Sequence, residues 1–244
     1  MSLVSVQNIA KRYGPRTVLD GCSLTLEAKD RLGLIGLNGA GKSTLIKIML
    51  GQAEADEGTV MRRRNLTVAH VAQEPMLDRN STVGETILEG QKQHASIVAE
   101  LAEVEARLST ATGSALKVAM DEHSSLSERL ERAGGYEVAH LADAMLDALG
   151  APPKDRVIGT LSLGEQRRLA LSIALLQGAD LLVLDEPTNH LDLGAIEWLE
   201  RYLADYRGAL LLVTHDRYFL DNVTGRIAAL DRGKLYTYEG NYTE

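Results

Sequence analysis

The sequence predicts an α/β fold: a parallel core sheet, an antiparallel β flank, and an all-helical subdomain carrying a helical-hairpin insertion. Three observations predict it. Leu181 to Leu184 and Ala209 to Val213 are apolar without alternation, as parallel strands covered on both faces are. Leu3 to Ile9 and Val18 to Leu26 alternate instead, as half-exposed strands do. Residues 80–150 carry helical periodicity.

In chain order, the two alternating runs are joined through Tyr13-Gly14-Pro15. Leu32 to Leu37 reads as a strand, and Leu45, Ile48 and Met49 follow at helical spacing, with Gly51 as the C-cap. Leu66 to Ala72 is a further strand, ending at Gln73 before a Glu-Pro turn. Ile97, Leu101, Val104 and Leu108 form one helical seam, and Leu116, Ala119, His123, Leu126 and Leu130 form a second beyond the turn-rich Thr110 to Ser114. Two such seams predict an antiparallel helical hairpin. His123 lies on its seam with no partner ligand nearby in sequence, so it reads as a packed histidine and not a metal ligand. Gly134-Gly135 breaks the second helix, a third runs from Tyr136 to Leu149 with Val138, Leu141, Met145 and Leu149 on one face, and Pro152-Pro153 closes it. Arg226 to Tyr238 reads as a hairpin turning at Asp231-Arg232-Gly233-Lys234.

The 244 residues suffice for one large domain, or a domain with a subdomain. Aromatic residues are only 4% of the chain, so the core must rest on Leu, Ile, Val and Ala. A net charge of -8 argues against a broad nucleic-acid surface, leaving Arg62-Arg63-Arg64 as either a local patch or a solvated turn. Cys22 is the single cysteine, which forbids an internal disulfide and suits a reducing cytoplasm. The first residues lack the long apolar run of a signal peptide, and no segment reaches the length of a membrane span. A cytoplasmic protein is expected.

Between the third strand and its helix runs Gly36-Leu-Asn-Gly-Ala-Gly-Lys-Ser43, which fits the phosphate-binding loop G-x-x-x-x-G-K-[ST]. Gly36, Gly39 and Gly41 let the backbone bend around phosphates with its amides turned inward. Lys42 supplies a point charge, the Ser43 hydroxyl is a Mg²⁺ ligand, and the helix N-terminus favours an anion. The fold class is therefore that of a phosphate-loop NTPase. Leu181-Leu-Val-Leu-Asp-Glu186 supplies the complement, an apolar strand ending in an acid: Asp185 to hold Mg²⁺ and Glu186 to polarise the attacking water. Leu161-Ser-Leu-Gly-Glu-Gln166 opens a helical run from Arg167 to Gln177. Ser162 and Glu165 fit a capping box, and a helix start with an exposed Ser and Gly also fits an anion site.

In this order the motifs resemble those of an ATP-binding cassette ATPase across essentially the whole chain. Gly36 to Thr44 is the phosphate loop, Val71-Ala-Gln-Glu-Pro75 resembles the glutamine loop, Leu161 to Gln166 the signature, and Thr214-His-Asp216 the switch histidine. Asp185-Glu-Pro-Thr-Asn-His-Leu-Asp192 resembles the ABC-F branch, whose members are soluble tandem ATPases without membrane domains; a Uup-like first cassette is the nearest likeness. Tyr238-Glu-Gly-Asn-Tyr-Thr-Glu244 resembles the point where such a cassette runs into its interdomain linker.

The resemblance implies ATP and Mg²⁺ as ligands and assigns residues to them. Tyr13 would stack on adenine; Gly36, Asn38, Gly39, Ala40, Gly41, Lys42, Ser43 and Thr44 would hold the phosphates. Ser43, Gln73 and Asp185 would serve the metal, and Glu186, Lys42, Gln73 and His215 the chemistry. Ser162, Gly164 and Glu165 would complete a second cassette's site, since two cassettes face head to tail. His190 reads as an interface or packing residue. One departure stands out: the signature ordinarily has two glycines after its serine, whereas here Leu163 precedes Gly164. Leu163 either weakens closure of the pair or projects outward.

The whole of 1–244 is expected to be one cassette, with 1–77 and 151–244 as nucleotide-binding core and 78–150 as helical subdomain. The stretch from Gln73 to Leu161 exceeds the compact subdomain of transporter cassettes, so 93–133 is either an arm toward a large partner or a longer subdomain without a separate role. The leading function is the ATPase cassette of an ABC-F protein acting on a ribosome or a nucleic-acid structure, with no membrane domain and with a second cassette, its missing half or a second copy, as partner. A transporter's nucleotide-binding subunit and a nearly silent assembly module are the alternatives. A lone cassette is expected to hydrolyse slowly.

Overall fold

Only the second strand of the N-terminal hairpin keeps the predicted alternation; the first buries Leu3, Val4, Ser5 and Val6 in succession, and its pairing shifts register at bulges. Strand β1 (Ser2–Tyr13) runs antiparallel to β2 (Arg16–Glu27), and Val4, Val6, Leu19, Leu24 and Leu26 are all buried. The computed structural model describes residues 2–132 and 138–243, without the side chains of 91–95, 132 and 138–142. Gly14 takes φ 58 in the turn, as the Tyr13-Gly14-Pro15 signal predicts.

A third strand of this flank, which the sequence pattern does not predict, lies between the helix after the phosphate loop and the strand predicted at Leu66 to Ala72. Strand β4 (Glu57–Arg62) pairs with β1 to give a flank ordered β2-β1-β4. Every residue of it except Val60 is exposed, so no apolar alternation marks it. The strand ends in the arginine triplet. Arg62 donates from Nε to Met49 O and from Nη2 to Ile48 O, both at 2.7 Å, satisfying the last carbonyls of α1 (Lys42–Leu50). Arg63 pairs with the buried Asp180, which also accepts from the Thr67 amide at 3.0 Å and its hydroxyl at 2.9 Å.

The core sheet has the order β5-β6-β7-β3-β8-β9. Strands β3 (Arg31–Ile35), β5 (Val68–Val71), β6 (Leu181–Asp185), β7 (Ala209–Val213) and β8 (Arg226–Asp231) are parallel; β9 (Lys234–Glu239) turns back antiparallel on β8. The hairpin turns where predicted, with Arg232 at φ 46 and Gly233 at φ 80. Strand β3 stops at Ile35, two residues short of the predicted end, because Gly36 leaves the extended region at φ 155; Leu37 is consequently in the loop and 78% exposed. Helix α1 buries Leu45, Ile46, Ile48 and Met49 in the core shared by both sheets, each worth roughly 1.5–3 kcal/mol, and ends at Gly51 in the left-handed conformation.

The chain divides into two compact units. The first is Met1–Gln73, Asp180–Thr188 and Glu200–Glu244; the second is Glu74–Ala179 and Asn189–Leu199. In the second unit α2 (Val83–Leu108) starts in a Thr82–Glu85 capping box and packs on α3 (Gly113–Arg132). Ile97, Leu101, Val104, Leu126 and Leu130 form the hairpin's own apolar core along the predicted seams. His123 is half-buried with Nε2 3.5 Å from Glu105 Oε1. The predicted Gly134-Gly135 break and Tyr136 start lie outside the described residues, as do the side chains of Val138 and Leu141; α4 (Val138–Ala148) buries Met145, and Leu149 follows. Helix α5 (Leu163–Leu176) has Ser162 as its N-cap. Two helices carry no sequence assignment above: α6 (Leu193–Asp205), whose first turn Asp192 caps through Ala195 N, and α7 (Arg217–Val223), capped by Asp216 through Phe219 N.

Candidate functional site

Parallel register places four chain crossings at one edge of the core sheet. Val71 aligns with Leu184, Asp185 with Val213, and Gly33 with Leu212. Gln73 after β5, Asp185 and Glu186 at the end of β6, Thr214 and His215 after β7, and the loop after β3 therefore leave neighbouring strands at their carboxyl ends, where open α/β sheets bind ligands.

The loop's glycines are dictated by space as well as by φ. A β-carbon on Gly36 would lie 2.5 Å from Leu230 O, and one on Gly41, at φ 110, would lie 2.7 Å from Val18 Cγ1. Gly39 holds φ 76, and Ala40 N closes the turn on Leu37 O at 3.0 Å. Thr44 is in the first turn of α1 beside Lys42 and Ser43. Lys42 Nζ folds onto the loop, donating to Gly36 O at 2.6 Å and Leu37 O at 3.3 Å. An ammonium held by neutral carbonyls at a helix start fits an anion in the cradle.

Ser43 Oγ and Asp185 Oδ2 come within 3.5 Å, close enough for one cation to reach both. Burial, and then the neighbouring Glu186, push the Asp185 carboxyl up, against the opposing pull of Lys42 and the Ser43 hydroxyl. A divalent cation between Ser43 and Asp185 would relieve that desolvation, so the donor set fits Mg²⁺, which would draw charge from the phosphates it touches. Gln73 is exposed at the same edge. Tyr13, 55% exposed at the end of β1, offers a ring face with Lys11 Nζ 5.7 Å from its centroid.

Glu186 adopts φ 55 and donates its amide to Val213 O at 2.7 Å. Its Oε2 accepts from Thr214 Oγ1 at 3.3 Å and the His215 amide at 3.4 Å. His215 Nε2 lies 3.5 Å from Glu186 Oε1 and 3.2 Å from Asn38 Oδ1. Glu186, His215 and the phosphate loop are thus physically joined. Two participants escaped the sequence reading. Arg16 donates from Nη2 to Gly39 O at 2.9 Å, a second cation on the loop, signalled only by a basic residue after the Tyr13 turn. Thr214, 3% exposed, had no role assigned.

In the second unit the capping box is formed. The Ser162 hydroxyl and amide both donate to Glu165 Oε2 at 2.8 Å, and Glu165 N returns a bond to Ser162 Oγ. Those bonds, the amide's first, hold the Glu165 carboxyl below the usual range, with Arg156 at 3.0 Å assisting. Leu163 is 47% exposed. Gly164 faces His190, which takes φ 68 and accepts from Arg168 Nη1 through its carbonyl at 3.2 Å, so His190 packs within this unit.

A loop that requires glycine at positions 36 and 41, opening a helix and opposed by an acidic strand end two strands away, defines a phosphate-loop nucleotide-binding domain. More narrowly, the chain belongs to the ATP-binding cassette ATPases, in their ABC-F branch. The family described as ABC transporter matches residues 19–189. The chain is 40% identical over 241 residues to the energy-dependent translational throttle protein EttA of Mycobacterium tuberculosis (99% of this chain, 43% of the relative). It is 41% identical over 228 residues to EttA of Escherichia coli K12 (93% and 41%). It is 40% identical over 243 residues to YfmR of Bacillus subtilis, an uncharacterised ABC transporter ATP-binding protein (99% and 38%). The chain thus spans less than half the length of these relatives. Among solved structures, the ATP-binding subunit of an ABC transporter superposes with a TM-score of 0.68 at 22% identity, covering 97% of this chain and 90% of that one; it shares the fold. Among the described residues no helix is long and apolar enough to cross a membrane.

Proposed function

We propose that this chain is a Mg²⁺-dependent ATPase cassette of a cytoplasmic ABC-F protein, whose ATP-driven closing and opening acts on the ribosome in translation. The observation that carries the reading is the linkage of Glu186 and His215 to Asn38 of the phosphate loop, joined to the 40% identity with translational throttle proteins. ATP would sit in the glycine cradle with Tyr13 on its base. Ser43, Asp185 and Gln73 would hold the cation, and Glu186 would take a proton from the attacking water. Ser162, Gly164 and Glu165 would close on the triphosphate of a second cassette, either another domain or a second copy. A lone cassette therefore turns over slowly, because each composite site needs two contributors. Hydrolysis removes the γ-phosphate that bridges the two faces, which converts chemistry into opening. The α2–α3 hairpin, with its own apolar core, suits an arm over residues 93–133 that reaches the partner.

The test is cosedimentation of the Glu186→Gln protein with purified ribosomes. Retention with ATP but not with ADP is expected. Equal binding in both nucleotides, or no binding alongside retention of branched DNA, overturns the translational assignment. Deleting 93–133 should weaken ribosome retention while leaving ATP binding intact; unchanged retention rejects the arm.

A further inference from the structure

Thr214 is one of few buried polar residues among those described, and its hydroxyl both donates and accepts. Oγ1 accepts from the Asp216 amide at 3.1 Å and lies 3.3 Å from Glu186 Oε2. An ionised carboxylate only accepts, so the hydroxyl proton must point at Oε2, and the Asp216 amide fixes the rotor by occupying the lone-pair side. The His215 amide adds a second donor to the same oxygen at 3.4 Å. Oε2 is thereby saturated, and Oε1 is the oxygen left facing the His215 ring at 3.5 Å. Glu186 also sits at φ 55, a conformation that a non-glycine residue keeps only when its surroundings hold it.

We propose that Thr214 is a positioning residue for hydrolysis: its hydroxyl locks Oε2 of Glu186 so that Oε1 is presented to the attacking water. The inference rests on the reading of Glu186 as the base. Threonine suits the task because it has the shape of valine at a buried position just after β7, while its hydroxyl makes both bonds. Valine would keep the shape and lose the lock.

The experiment compares phosphate release at saturating ATP, and ATP affinity by calorimetry, for wild type, Thr214→Val, Thr214→Ser and Glu186→Gln. Thr214→Val should lower kcat about tenfold or more, since a loosely held base misses its near-attack geometry. ATP affinity should stay within about twofold, because Thr214 contacts the base and not the phosphates. Thr214→Ser should restore most of the lost turnover. Should the valine variant fold poorly, Thr214→Cys, which has the connectivity of serine with a much weaker donor, should give turnover between serine and valine. Wild-type turnover in Thr214→Val or Thr214→Cys, with Glu186→Gln inactive, overturns the proposal, as does a loss that serine fails to rescue. Normal turnover in Glu186→Gln instead removes the assignment of the base on which it rests.

Discussion

Gly164 turns its bare α-carbon toward His190: a β-carbon there would stand 3.4 Å from His190 Cβ and 3.5 Å from its Cγ. The neighbouring Leu163 side chain is 47% exposed. The two positions after Ser162 are therefore unequal, and only the second needs to be small. Gly164→Ala should be tolerated at ordinary van der Waals contact, whereas Gly164→Leu must push the imidazole aside at a cost of about 1–3 kcal/mol. Leu163→Gly should not improve packing and should cost up to about 1 kcal/mol in helix propensity. Urea denaturation of the three variants measures the ordering.

Lys42 rests on Gly36 O and Leu37 O, so its removal breaks no buried ion pair in the nucleotide-free protein. Lys42→Ala should therefore leave the urea midpoint nearly unchanged and lower ATP affinity by tenfold or more, about 1.4 kcal/mol. Titration calorimetry with ATP checks it. Undiminished affinity would remove Lys42 from the phosphate site.

How much of this was legible in the sequence depends on whether local spacing or distant pairing carries the feature. The phosphate loop, the Ser162 box and the β8–β9 turn are local, and each residue type follows from its own backbone need. The Ser43–Asp185 approach also followed, because two motifs with known partners imply it. Arg62, Arg63 and Thr214 did not follow. Arg62 answers carbonyls of α1 that only folding brings to it, and Arg63 answers an acid more than a hundred positions away. As a triplet the arginines offered a patch or a solvated turn; the first is a helix cap and the second a buried acid's partner. Strand β4 was silent because an exposed edge strand needs no apolar face.

Asp180 collects the Thr67 amide, the Thr67 hydroxyl and Arg63 while only 6% exposed. Asp180→Ala should destabilise by about 2–3 kcal/mol, since three donors lose their acceptor, although Arg63 can turn to water. The same change should leave ATP affinity intact, because the acid lies at the amino end of β6, opposite the nucleotide edge. Urea unfolding together with ATP titration separates the two effects.

Glu165 accepts from both the amide and the hydroxyl of Ser162, which holds its carboxyl below the ordinary glutamate value. A carboxyl depressed by folding stabilises the fold at pH values above its unfolded pKa, and that contribution disappears as pH falls through the lower folded value. Glu165→Ala should therefore be less stable than wild type at pH 7, and the gap should narrow in acid as the wild-type box is protonated. Ser162→Ala removes the hydroxyl but not the amide, so it should lose about 1 kcal/mol at neutral pH and keep part of the acid dependence. Urea midpoints of the three proteins between pH 7 and pH 3 decide the matter. A gap that does not change with pH would mean that Glu165 acts at this helix start through packing and not through its charge.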